Sequence, residues 1–179
     1  MTQSKINTAA NQPKGIVIRG LPGVGKTTLS NLVAEHLRDT GKAVAQINAD
    51  FVRSTLNTDL DFSKESRAEN ARRIGAVTWL TQTNGIVPVV DFVMPTKQTY
   101  DNFIDGCGGH NFILYTILPK EGFVCRYPDT AKIFEIPQEF WVGGVYSVND
   151  LVNLTSQTLS AEELACTIFD DYAQRTSKL

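Results

Sequence analysis

The chain has 179 residues, of which 42% are hydrophobic and 20% charged, with a formal net charge of −2. That length allows a buried core, and the composition is that of a globular protein rather than a disordered or fibrous one. The slightly acidic balance argues against a strong non-specific nucleic-acid binder, and no apolar run approaches the roughly 20 residues that span a bilayer.

Residues 1–14 are polar, lack the apolar stretch of a secretory signal and read as a flexible tail. Ile16-Val17-Ile18 predicts a buried strand. Gly20-Leu21-Pro22-Gly23-Val24-Gly25-Lys26-Thr27 follows, the G-x-x-x-x-G-K-[ST] pattern of a phosphate-binding loop, and leads into helical spacing of Leu29, Leu32, Val33, His36 and Leu37. In that context the glycines turn backbone N–H groups inward around a polyphosphate, and the helix N-terminus adds partial positive charge. Residues Leu21 to Thr28 therefore read as ATP-binding. Lys26 would reach the β- and γ-phosphates, and the Thr27 hydroxyl would hold Mg²⁺.

Thr40-Gly41-Lys42 stops the helix, and Ala43–Ile47 predicts a second strand. A long helix is expected from about Lys64 to Asn84, with Ala68, Ala71, Ile74, Val77, Trp79 and Leu80 as its apolar positions. Ile86–Phe92 reads as a third strand ending on Asp91. Pro88 cannot donate to a ladder and has to lie near the strand start or at an irregular point. A short helix after Pro95, a strand over Asn111–Leu118, an irregular lid-like stretch of about 119–145, a strand at Leu151–Leu154 and a last helix complete the order. Ser160 and Glu163 have capping-box spacing at the start of that helix. Cys107, Cys125 and Cys166 form neither a disulfide framework nor a ligand pair and read as reduced thiols of a cytoplasmic protein. Strand and helix alternate throughout. Residues 15–179 are thus expected to form one α/β domain of three-layer P-loop architecture, a mostly parallel five-stranded sheet with helices on both faces. Ligands bind such sheets at the strands' carboxyl ends, which gathers the loop, Asp50 and Asp91 along one edge.

A second series lies between strands two and three: Asn48-Ala49-Asp50-Phe51-Val52-Arg53, then Asn57-Thr58-Asp59-Leu60-Asp61-Phe62-Ser63, then Arg67-Ala68-Glu69-Asn70-Ala71-Arg72-Arg73. With the loop, this series resembles the adenylylsulfate kinase family, whose pattern runs D-G-D-x-x-R, N-x-D-L-G-F-S and D-R-x-E-N-x-R-R. The match is close from residue 15 to about 95 and returns at Asp150–Thr155 and Leu159–Glu163. The resemblance implies transfer of the γ-phosphoryl group of ATP to the 3′-hydroxyl of adenylylsulfate, with ATP and Mg²⁺ required, and a homodimer.

It also implies roles. Asp50 would orient the acceptor hydroxyl, take its proton or hold Mg²⁺. Arg53 and Arg67 would clamp the phosphosulfate, Phe62 would stack on the acceptor's adenine, and Asn70 would hydrogen-bond nearby. Taken singly, the same residues have structural readings. Asp50 would be a helix or turn cap, Phe62 would be core, and Arg67, Arg72 and Arg73 would be a solvated face paired with Glu65 and Glu69.

Departures from the pattern are as informative. The first acid of D-G-D is Asn48 and the glycine is Ala49. Where the family reads S-F-I-S-P-[FY]-R, this chain reads Asp91-Phe92-Val93-Met94-Pro95-Thr96-Lys97. Asp91 either takes metal duty or contacts the acceptor, and is expected among the substrate-binding residues; a plain loop acid is the structural reading. The family's K-G-L-Y-K lid and its F-T-G-[IV]-D are missing. In the shorter segment that replaces them, Arg126 is the cation expected on ATP and Lys132 the one on the substrate, an ordinary surface loop being the structural reading. A kinase of the same fold acting on another nucleoside or nucleotide hydroxyl is the alternative, including a modified base or polynucleotide end. A non-catalytic nucleotide-binding protein is a third.

Overall fold

The computed structural model describes residues 14–109, 111–119, 121–134, 151–155 and 159–177, the stretch 151–155 by its backbone. The expected tail, His110 and most of the lid-like stretch beyond Phe134 lie outside the described residues. The elements are β1 (Gly15–Gly20), α1 (Lys26–Asp39), β2 (Val44–Asn48), α2 (Ala49–Thr55), α3 (Lys64–Thr83), β3 (Val87–Phe92), α4 (Lys97–Cys107), β4 (Phe112–Leu118), a short α5 (Pro128–Lys132), β5 (Leu151–Thr155) and α6 (Ala161–Thr176).

The strands form one sheet in the order β2-β3-β1-β4-β5, every pairing parallel. Alternation along the strands splits the core into two layers. Ile16 and Ile18 of β1 join Val89, Ile113 and Tyr115 under α1 and α6, where Leu29, Val33, Leu37, Leu164 and Ile168 pack. Val17, between them, points the other way, with Val90, Phe92 and Leu114, against α2, α3 and α4. Both faces are covered, which is why the central strands read as unbroken apolar runs. On the α6 side, Tyr115 Oη donates to Asp171 at 2.8 Å, and Tyr172 Oη to the Lys14 carbonyl at 2.8 Å. These bonds tie the last helix to the centre and start of the sheet.

Pro88 is tolerated as the second residue of β3. The Val87 N–H is already given to Ala43 on the β2 side, and Pro88 faces Gly15, where the β1 ladder begins. A Cβ added at Gly15 would stand 3.1 Å from the Pro88 ring. The Ser160–Glu163 capping box is formed, and Thr96 and Thr99 make a second one at α4.

The apolar pattern of α3 needs correction at its C-terminal end. Trp79 and Leu80 are 38% and 58% exposed. The buried stripe is instead small: Ala68, Ala71, Ile74, Gly75 and Thr78. The cause is α4, which lies backbone-close. A Cβ at Gly75 would meet the Phe103 carbonyl oxygen at 2.2 Å, and one at Gly106 would meet that of Arg72 at 2.0 Å. Of the cysteines, Cys107 is buried, which pushes its thiol up to about 12, Cys125 is half-buried and Cys166 exposed, all unpaired. Among the described residues no cluster of His, Cys, Asp and Glu could by itself cage a metal, and no helix is long and apolar enough to cross a membrane.

Candidate active site

A cleft of about 1250 Å³ opens at the carboxyl ends of β1, β2 and β3. One wall is the loop between β1 and α1. Gly25 adopts φ 98°, ψ 14°, so α1 begins without a side-chain cap and without an acid in its first turn. Its first N–H groups and the positive end of its dipole are thereby left for an anion. Pro22, Gly23, Gly25, Lys26, Thr27 and Thr28 line the cleft. Of the others expected at the nucleotide, Leu21 does not face the cleft, and Val24 lines a smaller cavity across the loop. Leu21 supplies the carbonyl that accepts from Lys26 Nζ at 3.0 Å, and Val24 packs against the core. Burial lowers the Lys26 pKa, and Asp50, Asp91 and Cys125 nearby oppose that shift.

Behind Thr27 lies a buried polar cluster. Asp91, the penultimate residue of β3, is 3% exposed and pairs in register with Asn48 of β2. Asn48 Nδ2 donates to the two Asp91 oxygens at 2.8 and 3.0 Å and lies 3.3 Å from Thr27 Oγ1. Ser30 Oγ donates to Asp91 Oδ2 at 3.1 Å. The cap of α2 is Asn48, whose Oδ1 accepts from the Phe51 N–H at 2.7 Å. Asp50 is therefore no cap. It stands exposed in the first turn of α2, on the cleft and within electrostatic reach of Lys26 and Arg53.

The opposite wall is cationic, with Arg53 and Arg67 half-buried. Phe62 is 71% exposed, so it is not core. The Arg53 guanidinium lies 4.8 Å from the centre of its ring and that of Arg67 5.7 Å. Arg53 donates to the Asp61 carbonyl at 2.6 Å, and Arg67 Nε to the Phe62 carbonyl at 2.9 Å. Burial first, and then repulsion from Arg67, lower the Arg53 pKa. Two guanidinium groups close enough to repel form an anion site. Asn70 lines the same wall; its Oδ1 accepts from Asn57 at 2.9 Å, leaving its NH₂ as the donating end. Arg72 and Arg73 are absorbed by Glu69, with Asp59 adding a second partner for Arg73. Glu65 plays no part in those pairs.

The described part of the lid-like segment folds back on the loop. Cys125 Sγ lies 3.9 Å from the Pro22 carbonyl, and Phe134 stacks 4.5 Å from the Arg19 guanidinium. Arg126 reaches the cleft. Lys132 does not line it; its Nζ is paired with Asp129 at 2.9 Å on the surface. Met94, which replaces the family's serine, is also turned away. It is fully buried against Tyr100 and Phe103 at φ 44°, while Val93 and Pro95 on either side line the cleft.

Residues missed by sequence reasoning are Ser30, one helical turn beyond Thr27, and a smaller cavity of about 340 Å³ across the loop. Ile117, Phe123, Leu159 and Leu164 line it beside Gly23, Gly25 and Thr28. Their identities are those of core residues, and nothing in their spacing marks a site.

A lysine-bearing loop at an uncapped helix start, facing carboxylates and then arginines across one cleft, is the architecture of the P-loop kinases. The adenylylsulphate kinase family model matches residues 12–136. An adenylyl-sulfate kinase of a Picosynechococcus species is 43% identical over 132 residues, 73% of this chain and 72% of that one. Among solved structures, an APS kinase CysC mutant of Mycobacterium tuberculosis is 25% identical with a TM-score of 0.68, over 89% of this chain and 96% of the other. A second structure of that enzyme, in complex with AMPPNP and APS, has a TM-score of 0.64 at 23% identity, covering 89% and 98%. The chain belongs to the adenylylsulfate kinase family, and it is a P-loop phosphotransferase.

Proposed function

We propose that the protein transfers the γ-phosphoryl group of ATP to the 3′-hydroxyl of adenylylsulfate, giving 3′-phosphoadenylylsulfate and ADP, with residues 15–179 acting as one kinase domain. The carrying observation is the wall opposite Lys26, where the Arg53 and Arg67 guanidinium groups lie 4.8 and 5.7 Å from the centre of the exposed Phe62 ring. A flat aromatic face beside two mutually repelling guanidinium groups matches a purine attached to an anionic phosphosulfate.

Each residue then has a task. The α1 N-terminus and Lys26 hold the donor's phosphates, and the apolar cavity across the loop suits its adenine. Arg53 and Arg67 fix the acceptor, with Asn70 as a neutral donor. Asp50 stands free of any hydrogen bond among the described residues, where it can orient the acceptor hydroxyl and accept its proton. Arg126 approaches from the lid side. The donor set around Thr27 fits Mg²⁺: a hydroxyl with the Asp50 and Asp91 carboxylates nearby, all hard oxygens, on an ion that keeps several of its waters. When bound, Mg²⁺ would neutralise charge on the phosphates. The bridge of Asn48 between Asp91 and Thr27 supports reading Asp91 on the metal side rather than with the acceptor. The reading implies a cytoplasmic setting and a homodimer, and sedimentation of the purified chain tests the dimer.

Incubation with ATP, Mg²⁺ and adenylylsulfate, with products resolved by chromatography, tests the reading. It expects ADP and 3′-phosphoadenylylsulfate in equal amounts. ADP release with another nucleoside hydroxyl but none with adenylylsulfate would overturn it. Asn48, Asp91 and Met94 are the departures that would favour that second outcome.

A further inference from the structure

Asp91 is a carboxylate at 3% exposure whose hydrogen-bond donors among the described residues, Asn48 and Ser30, are both neutral. Such a group is costly to bury, and an amide of the same shape would serve packing alone better. Lys26 is within electrostatic reach of Asp91 but makes no hydrogen bond to it, so the charge also suits a cation bound beside Thr27 only part of the time. Its setting is equally specific. Asn48 and Asp91 are register partners on adjacent strands, and Asn and Asp have the same outline. The pair therefore presents one amide and one carboxylate, a single negative charge, beside Thr27.

We propose that Asn48 and Asp91 work as one unit with a single charge, in which Asn48 is a positioning residue. Its NH₂ group aims the Asp91 carboxylate and reaches Thr27 Oγ1, and its Oδ1 caps α2, the helix that carries Asp50 and Arg53. One amide therefore joins the metal side of the cleft to the acceptor side. The inference rests on the kinase reading for the cation it serves, but not on which acceptor is used.

The unit makes an exchange experiment decisive, because either strand can hold the carboxylate if the other holds the amide. The variants are Asn48→Asp, Asp91→Asn, the double exchange, and Asn48→Ala. The first readout is the ratio of ADP affinity with and without Mg²⁺, measured by calorimetry. Asp91→Asn should lower that ratio about 10-fold or more, and Asn48→Ala, which keeps the charge but loses its aim, about 5- to 10-fold, in line with losses on removing partners that orient metal ligands. The double exchange should return it to within about threefold of wild type. The second readout is thermal unfolding without nucleotide. Asn48→Asp sets two carboxylates against each other and should lower the midpoint by several degrees, with the double exchange restoring most of it. A wild-type Mg²⁺ ratio in Asp91→Asn would overturn the proposal, as would a double exchange no better than the worse single variant in both readouts. Wild-type protein that ignores ADP would refute the kinase reading instead, and the unfolding cycle would still decide the pairing.

Discussion

The two walls of the cleft are built by opposite means. On the phosphate wall, the functional groups are backbone N–H groups, a half-buried Lys26 held to the Leu21 carbonyl, and a buried Asp91 held between Asn48 and Ser30. On the acceptor wall they are side chains resting on each other, with the half-buried Arg53 and Arg67 around the exposed Phe62 and on carbonyls of the same loop. The first wall balances lysine against carboxylates before any ligand arrives. The second keeps surplus positive charge, and a bound anion relieves it. The difference separates the two halves of the reaction experimentally.

Lys26→Ala should strike hardest, since it removes the lysine placed at the transferring phosphates. Activity should fall about 10³-fold with the melting temperature nearly unchanged, as read by kcat and a thermal scan. Gly75→Ala breaks the other wall from behind. α3 carries Arg67 and Asn70, and a methyl 2.2 Å from the Phe103 carbonyl forces it off α4. Denaturant unfolding should show a loss of about 3 kcal/mol. Arg53→Ala sharpens the contrast: the KM for the acceptor should rise about 10- to 100-fold while ADP affinity stays put, because a charge-assisted contact on one wall only is lost. A smaller effect comes from Glu69. Its bonds to Arg72 and Arg73 lower its pKa from 4.5 to about 2. A carboxylate lowered on folding stabilises the native state above its unfolded pKa. Its contribution should be intact at neutral pH and fade as pH falls from about 4.5 to 2. In Glu69→Gln that part of the acid limb should flatten, as followed by unfolding midpoints against pH.

The same contrast governs what was legible in the sequence. The loop, its strand and its helix are written in glycine positions and local periodicity, so β1, α1 and the cleft edge could be read directly. The Arg53, Phe62 and Arg67 series is also continuous in the chain, and the structure brings it together. What stayed hidden depends on register between distant segments. Asn48 and Asp91 are 43 residues apart, and only the β2–β3 pairing reveals that one amide serves both. Trp79 and Leu80 looked like core because the helix period allowed it. The close approach of Gly75 to α4 gave the buried face to small residues instead. Lys132 offers the sequence only its charge as a signal, and Asp129, three residues earlier, claims it.

A crystal structure with ADP, Mg²⁺ and adenylylsulfate bound together tests the two-wall account most directly. It should place the β-phosphate of ADP at the start of α1, the acceptor's adenine on Phe62, its phosphosulfate between Arg53 and Arg67, and its 3′-hydroxyl toward Asp50. An acceptor bound away from Phe62 and both arginines, or a nucleotide lying outside the loop, would contradict it.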